Sequence, residues 1–188
     1  LPPKLLDRGL LAPGLLAYIL VGKYTDHLPL YRQQQIFSGR HGVYLPRQTL
    51  ARGVELAATW LKPIVKEIMR EQLAGGYLQI DETPVKYLVP GHGRTKQGYF
   101  WAVHVPGGHT VYHWADGRGH EHLLDILPES YQGLIQCDAF SAYRAMLTKR
   151  PGVQLAGCWA HVRRKFVEAF TQKESAIRNG WILHQIAH

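Results

Sequence analysis

The spacing of hydrophobic positions changes once along the chain, and the change divides it in two. Up to about residue 75 apolar residues recur at helical intervals. Leu15, Leu16, Tyr18, Ile19 and Leu20 predict a short apolar helix behind Pro13. A second helix is expected to start at Pro29, where a missing N–H costs nothing, to run through Tyr31, Gln34 and Phe37, and to stop in the Gly39–Gly42 region. A third starts near Pro46. Its apolar positions at Val54, Ala57/Ala58, Leu61, Ile64/Val65 and Ile68/Met69 form one stripe expected to be buried, and Pro63 is expected to kink or divide it. Gly75-Gly76 closes the region. The period then falls to two, which predicts strands at Tyr77–Val85, Tyr99–Val105 and Thr110–Ala115, the last two joined by the Pro106-Gly107-Gly108 turn. A helix at His120–Leu127, a strand at Gly133–Cys137, a helix at Ser141–Leu147, a strand at Val153–Cys158 and a helix at His161–Phe170 follow.

Three antiparallel strands followed by alternating helix and strand predict an α/β (α+β) fold, a mixed sheet with helices on both faces. That order is the one found in ribonuclease H-like domains. The expected organisation is a helical region over residues 1–75 and a sheet-containing core over residues 76–188.

Charge sharpens this division. The 188 residues hold 22 Lys+Arg against 14 Asp+Glu, a formal net charge of +8. Residues 1–70 carry ten basic and four acidic side chains, a net of +6, which leaves +2 for the remainder. A basic chain of this size points to a polyanionic partner, nucleic acid first, with the front of the chain as its holder. Only two cysteines, Cys137 and Cys158, are present, which suits a reducing cytoplasm better than a disulfide framework. The apolar run Leu15 to Val21 is too short to span a bilayer.

The candidate chemistry lies at the ends of two predicted strands. In LQIDETPV, Leu78 to Val85, alternation sends Tyr77, Gln79 and Asp81 to one face and Leu78, Ile80 and Glu82 to the other. Asp81 and Glu82 therefore cannot both enter one site, and Asp81 is the better candidate because it ends the apolar run. In LIQCDAFSAY, Leu134 to Tyr143, Asp138 closes a second apolar run ahead of a helix. Functional groups in α/β folds gather outside the carboxyl ends of strands. Two carboxylates about 4 Å apart repel by several kcal/mol at an effective dielectric near 20, so a proton or a cation must neutralise them. Hard divalent cations suit such oxygen donors, and a pair of them clamps both oxygens of an in-line phosphoryl displacement. A lone strand-end aspartate more often caps a turn; the two together, in this strand order on a basic chain, favour the paired-acid reading.

Two basic segments accompany the acids. In CWAHVRRKF, Cys158 to Phe166, the side chains of His161, Arg163, Arg164 and Lys165 stand beside a strand-to-helix junction and are candidates to hold a phosphate backbone. Residues 28–53 read as helix, turn, helix, with Arg47, Gln48, Thr49 and Arg52 opening the second helix as candidate base contacts. The same features would also suit a plain helical bundle with solvated basic faces. Cys158 and His161 have the spacing of half a zinc site, but no second pair matches it.

Together IDETPV, CDAFSAY and CWAHVRRKF, with LPLYRQQQIFSGRHGVYLPRQTLA (Leu28 to Ala51) upstream, resemble transposases of the insertion sequence 66 family over nearly the whole chain. The resemblance implies a ribonuclease H-like core with an Asp-Asp-Glu triad, Asp81 as first acid and Asp138 as second, both metal ligands. It implies Mg²⁺ or Mn²⁺ in a two-metal arrangement, and hydrolysis of a DNA phosphodiester followed by strand transfer. Its implied partners are terminal inverted repeats, a target duplex and further copies of the transposase, in the bacterial cytoplasm at the nucleoid. The family's third acid belongs to a later asparagine-flanked motif, which does not occur before His188, and the family's amino-terminal region is also missing, so the chain reads as a central fragment. Glu168 is a weak candidate for that third acid. Relatives often carry Trp where this chain has Gly53, which is expected to weaken the third helix by roughly 1 kcal/mol relative to Ala. Two other readings remain: a catalytically inactive DNA-binding remnant, and a stand-alone ribonuclease H-like nuclease. With two of three acids, the fragment itself is expected to be inactive or nearly so.

Overall fold

The change of period at Gly75-Gly76 is where helix gives way to sheet in the structure, a computed structural model that describes residues 9–172. Three helices come first: α1 (Pro13–Tyr24), α2 (Leu30–His41) and α3 (Arg47–Ala74). Pro13 sits at the start of α1, and Pro29 is the residue flanking α2. Gly42 ends α2 in the left-handed conformation (φ 63°), which glycine adopts without penalty. The chain divides into two compact units, Leu1–Lys66 and Glu67–His188, and the division falls within α3.

In the first unit Ile19, Phe37, Leu45 and Leu50 form the core, with Leu11, Leu15, Leu30 and Val54 packed around it. The buried amide of Gln33 ties α1 to α2 by donating to the Ile19 and Leu28 carbonyls at 3.2 and 3.1 Å. Of the two outcomes expected at Pro63, a kink or a division, the division does not occur: α3 continues as one helix through it. One expectation needs correction: its apolar stripe is not buried along its length, since Trp60, Leu61, Ile64 and Val65 are all exposed. Periodicity reports that a helix has an apolar face, and burial depends on whether another element covers it. Gly53 is buried against Leu11 and Leu16, so close that a Cβ would collide with Leu11. Glycine there admits a close approach, and α3 runs through it unbroken.

The second unit is built on a five-stranded sheet in the order β3-β2-β1-β4-β5. Its strands are β1 (Tyr77–Leu88), β2 (Thr95–His104), β3 (Thr110–Ala115), β4 (Gly133–Cys137) and β5 (Val153–Gly157). Strands β1, β2 and β3 pair antiparallel; β4 pairs parallel with β1 and with β5. Three helices alternate with the later strands: α4 (His120–Ile126), α5 (Ser141–Leu147) and α6 (Trp159–Gln172). The core lies on one face of the sheet, where Leu78, Ile80, Trp101, Val103 and Ile135 meet Leu123, Ile126 and Leu127 around α4 and Tyr143 and Met146 of α5. Helices do not cover both faces throughout, as the element order predicts. On the opposite face, over β2 and β3, Phe100, Tyr112 and Trp114 are exposed and pack edge to face on one another. β1 and β2 each extend beyond their predicted bounds because their outer ends pair with one another, Leu88 with Thr95.

One buried cation closes this core. Arg150, 8 % exposed, donates from Nε and Nη2 to the Leu127 carbonyl (3.1 and 2.9 Å) and from Nη2 to that of Leu124 (3.3 Å). These carbonyls belong to the last turn of α4, where unsatisfied acceptors and the helix dipole both favour a positive charge. Arg150→Met keeps the volume and removes every donor. It is expected to cost about 2–3 kcal/mol in chemical denaturation; a cost below about 0.5 kcal/mol would mean that water satisfies those carbonyls equally well.

Candidate active site

The parallel pairing of β1 with β4 decides which acids can meet. Tyr77, Leu78 and Gln79 stand opposite Leu134, Ile135 and Gln136. The same one-to-one register, continued two residues beyond the paired ones, sets Asp81, within β1, level with Asp138, just past the carboxyl end of β4. The outward face leading to them is polar: the Gln79 amide donates to the Gln136 side-chain oxygen (2.7 Å), and the Tyr77 hydroxyl donates to the same oxygen (2.7 Å). Asp81 is exposed, and its carboxylate accepts the Glu82 N–H at 3.1 Å. Asp138 lies just past the end of β4, and its Oδ1 accepts the Phe140 N–H at 2.9 Å. That bond turns the chain out of the strand and toward α5.

Asp138 opens into a crevice of about 500 Å³ at the carboxyl ends of β4 and β5. Its basic lining comes from Arg118, Arg144, His161 and Lys165. Of the four basic residues expected beside the strand-to-helix junction, the structure brings His161 and Lys165 to the crevice, one helical turn apart on α6. Arg163 and Arg164 are exposed and do not line it. His161 Nδ1 is buried with no hydrogen-bond partner among the described residues. Arg118 and Arg144 are not singled out by the sequence. Neither belongs to a basic cluster, so only the fold reveals them. Glu168 is exposed on α6 and paired with Lys165 at 3.0 Å; it does not line the crevice. Cys137 faces the core, and burial, with Asp138 and Glu82 adding to it, pushes its thiol up to about 12.

Glu82 is the other residue that sequence reasoning passes over. Alternation places it on the core face of β1 with Leu78 and Ile80, opposite Trp101 on β2. Its side chain is 1 % exposed. Such a carboxylate needs partners, and it has two. Arg118 Nε donates to Oε1 at 2.6 Å, with Nη2 also in contact with that oxygen, and the Tyr143 hydroxyl donates to Oε2 at 2.9 Å. Burial raises the Glu82 pKa above the ordinary carboxylate range, and the bonds from Arg118 and Tyr143 oppose that rise. The Tyr143 hydroxyl is itself pushed far up by burial and by Glu82, and so stays a donor. Arg118 then reaches Asp138 Oδ2 at 3.7 Å and stacks on the Phe140 ring, 3.7 Å from its centroid. A signal for Glu82 is present in the sequence: a carboxylate in phase with the apolar side of a strand demands a cation elsewhere in the chain.

The donor chemistry suits a hard divalent cation. Asp81, within β1, and Asp138, just past β4, each offer carboxylate oxygens, although Asp81 does not line the crevice beside Asp138, and Arg118 meets Asp138 Oδ2 only at the long distance of 3.7 Å. Among the described residues no group of three or more His, Cys, Asp or Glu side chains gathers in metal-binding geometry. On the first unit, Arg47, Gln48 and Arg52 are exposed on the opening turns of α3 and Thr49 is half-buried beside them, with residues 42–46 linking α2 to α3. No helix among the described residues is long and apolar enough to cross a membrane.

The chain is similar to the uncharacterized proteins y4qI and y4jD of Sinorhizobium fredii, 37 % identical over 181 residues and 35 % over 180, in each case across 89 % of this chain. It spans about a third of their length (33 % and 35 %). The family model described as transposase IS66 family matches residues 8–187. That match covers nearly the whole chain, and the chain belongs to the IS66 family of transposases.

Proposed function

We propose that this chain carries the catalytic core of a DNA transposase, in which Asp81 and Asp138 hold divalent metal ions and the crevice beside Asp138 seats a DNA phosphate. One observation carries the reading: Asp138 shares its crevice with Arg118, Arg144, His161 and Lys165. A carboxylate set among basic side chains at one crevice suits a site where a divalent cation and a phosphodiester would be held together. A bound Mg²⁺ or Mn²⁺ would supply charge neutralisation at the phosphate and an activated oxygen nucleophile. The protein's own groups do the rest. Arg144 and Lys165 neutralise the backbone, His161 donates to a phosphate oxygen, and the Phe140 N–H holds Asp138 turned toward the crevice. The fold is ribonuclease H-like, and the third acid is supplied by protein outside this segment. Glu168, committed to Lys165 and away from the crevice, is a poor source of it. The front unit serves DNA recognition, with Arg47, Gln48, Thr49 and Arg52 reading the terminal repeats. The DNA partners are those repeats and a target duplex, bound by an oligomer of the complete protein in the bacterial cytoplasm.

Fluorescence anisotropy with labelled repeat DNA tests this reading. The double variant Arg144→Ala/Lys165→Ala is expected to weaken binding to any duplex and to lower the slope of log K against log salt by about 0.9 for each phosphate no longer neutralised. Arg47→Ala/Arg52→Ala is expected to weaken repeat DNA more than unrelated duplex. An unchanged slope in the first variant would remove the crevice from DNA binding.

A further inference from the structure

Arg118 does more than line the crevice. It lies between β3 and α4, yet its guanidinium is seated on Glu82 of β1 and on the ring of Phe140, with Nη2 3.7 Å from Asp138 Oδ2. Glu82 is fixed in turn by Tyr143 from α5. The charge is therefore anchored by a buried carboxylate and an aromatic face, and cannot swing away as a surface arginine does. Its second carboxylate contact is with the residue that the proposed function gives to a metal ion.

We propose that Arg118 is the resident counter-ion of Asp138, a fixed positive charge that competes with the divalent cation and sets how weakly the site binds metal before DNA arrives. The inference rests on the reading of Asp138 as a metal ligand. Glu82 is the positioning residue of this device, since it keeps the guanidinium in place. A protein charge and a metal ion drawn to one carboxylate only 21 % exposed repel one another, and the fixed charge lowers metal affinity by about tenfold. An incoming phosphate adds negative charge to the same crevice and relieves that repulsion, so metal and DNA bind with positive coupling.

The sign of one substitution separates this role from a structural one. If Arg118 only braced the turn after β4, Arg118→Gln would loosen Asp138 and weaken metal binding. A competing counter-ion predicts the opposite. Mn²⁺ titrated into this chain, read by paramagnetic broadening of the amide signals of residues 136–140, is expected to bind Arg118→Gln about tenfold more tightly than the wild type, with Arg118→Lys between the two. Where Arg118→Gln strips Glu82 of its cation and fails to fold, Glu82→Gln and Glu82→Gln/Arg118→Gln make the same comparison without a buried charge, and the double variant is expected to bind more tightly. Equal or weaker binding on removal of Arg118 overturns the proposal. Broadening that survives Asp138→Asn, or is absent from the wild type, overturns the metal reading and this proposal with it. Broadening abolished by Asp138→Asn but indifferent to Arg118 overturns the proposal alone.

Discussion

Asp138→Asn in the complete transposase is expected to lower metal-dependent DNA strand cleavage about 10³-fold while leaving DNA affinity within about threefold. The expectation follows from where Asp138 stands. It closes β4 at the level of Asp81, and its Oδ1 is already used in holding the turn to Phe140. Asparagine preserves the acceptor that makes the turn, so the fold is kept and the change falls on charge alone. Metal stabilisation of a developing phosphorane-like charge is worth several kcal/mol, and each step of about 1.4 kcal/mol is a factor of ten in rate. Asp81→Asn should match it, and the double variant should fall little further than either single one, because groups that act as a unit are not additive. Glu129→Gln, at an exposed position away from the crevice, is the control and should cleave normally. Cleavage within about tenfold of the wild type in Asp138→Asn would leave this carboxylate without a catalytic role.

Trp101→Ala is expected to be the most destabilising substitution in the sheet unit, costing about 3–5 kcal/mol. Trp101 is fully buried, stands opposite Glu82 in the β1–β2 register and meets the Tyr143 ring edge to face at 6.1 Å. Its removal opens a cavity beneath Tyr143, which itself holds Glu82. For domains stable by about 5–15 kcal/mol, this is a large share of the total. Trp101→Phe should cost less than about 1.5 kcal/mol. An aromatic ring is retained, and the indole N–H, buried with no partner among the described residues, is removed rather than stranded. Urea unfolding midpoints for the two variants decide the matter; a Trp101→Phe cost well above about 1.5 kcal/mol would mean that the N–H is satisfied by water.

Much of the sheet unit is legible in the sequence. Thr110–Ala115, Gly133–Cys137 and Ser141–Leu147 have their predicted bounds because each is short and fenced by turn-forming residues. The outer ends of β1 and β2 are less legible: their pairing is settled by each other, and Lys86, Lys96 and Gly98 carry no strong strand signal of their own. The candidate site divides in a similar way. Alternation along β1 is enough to separate Asp81 from Glu82, and the apolar run into Asp138 marks the end of β4. Alternation assigns a face and never a partner, so nothing local links Glu82 to Arg118, 36 residues away, or to Tyr143, 61 residues away. In the same way the basic run of α6 looks like one cluster. Helical geometry instead sends His161 and Lys165 to the crevice and turns Arg163 and Arg164 from it.

The strand order also has a consequence in time. β1 lies at the centre of the sheet between β2, its neighbour in sequence, and β4, which follows only after β3 and α4. The meander β1–β2–β3 closes through short turns, whereas the β1–β4 pairing must wait for a long loop to close, the slow kind of contact. During synthesis Asp81 emerges first, and Asp138 follows after roughly 3–11 s at about 5–20 residues per second. A nascent chain therefore displays Asp81 well before Asp138, and β1 gains its parallel neighbour only when the second half of the sheet has been delivered.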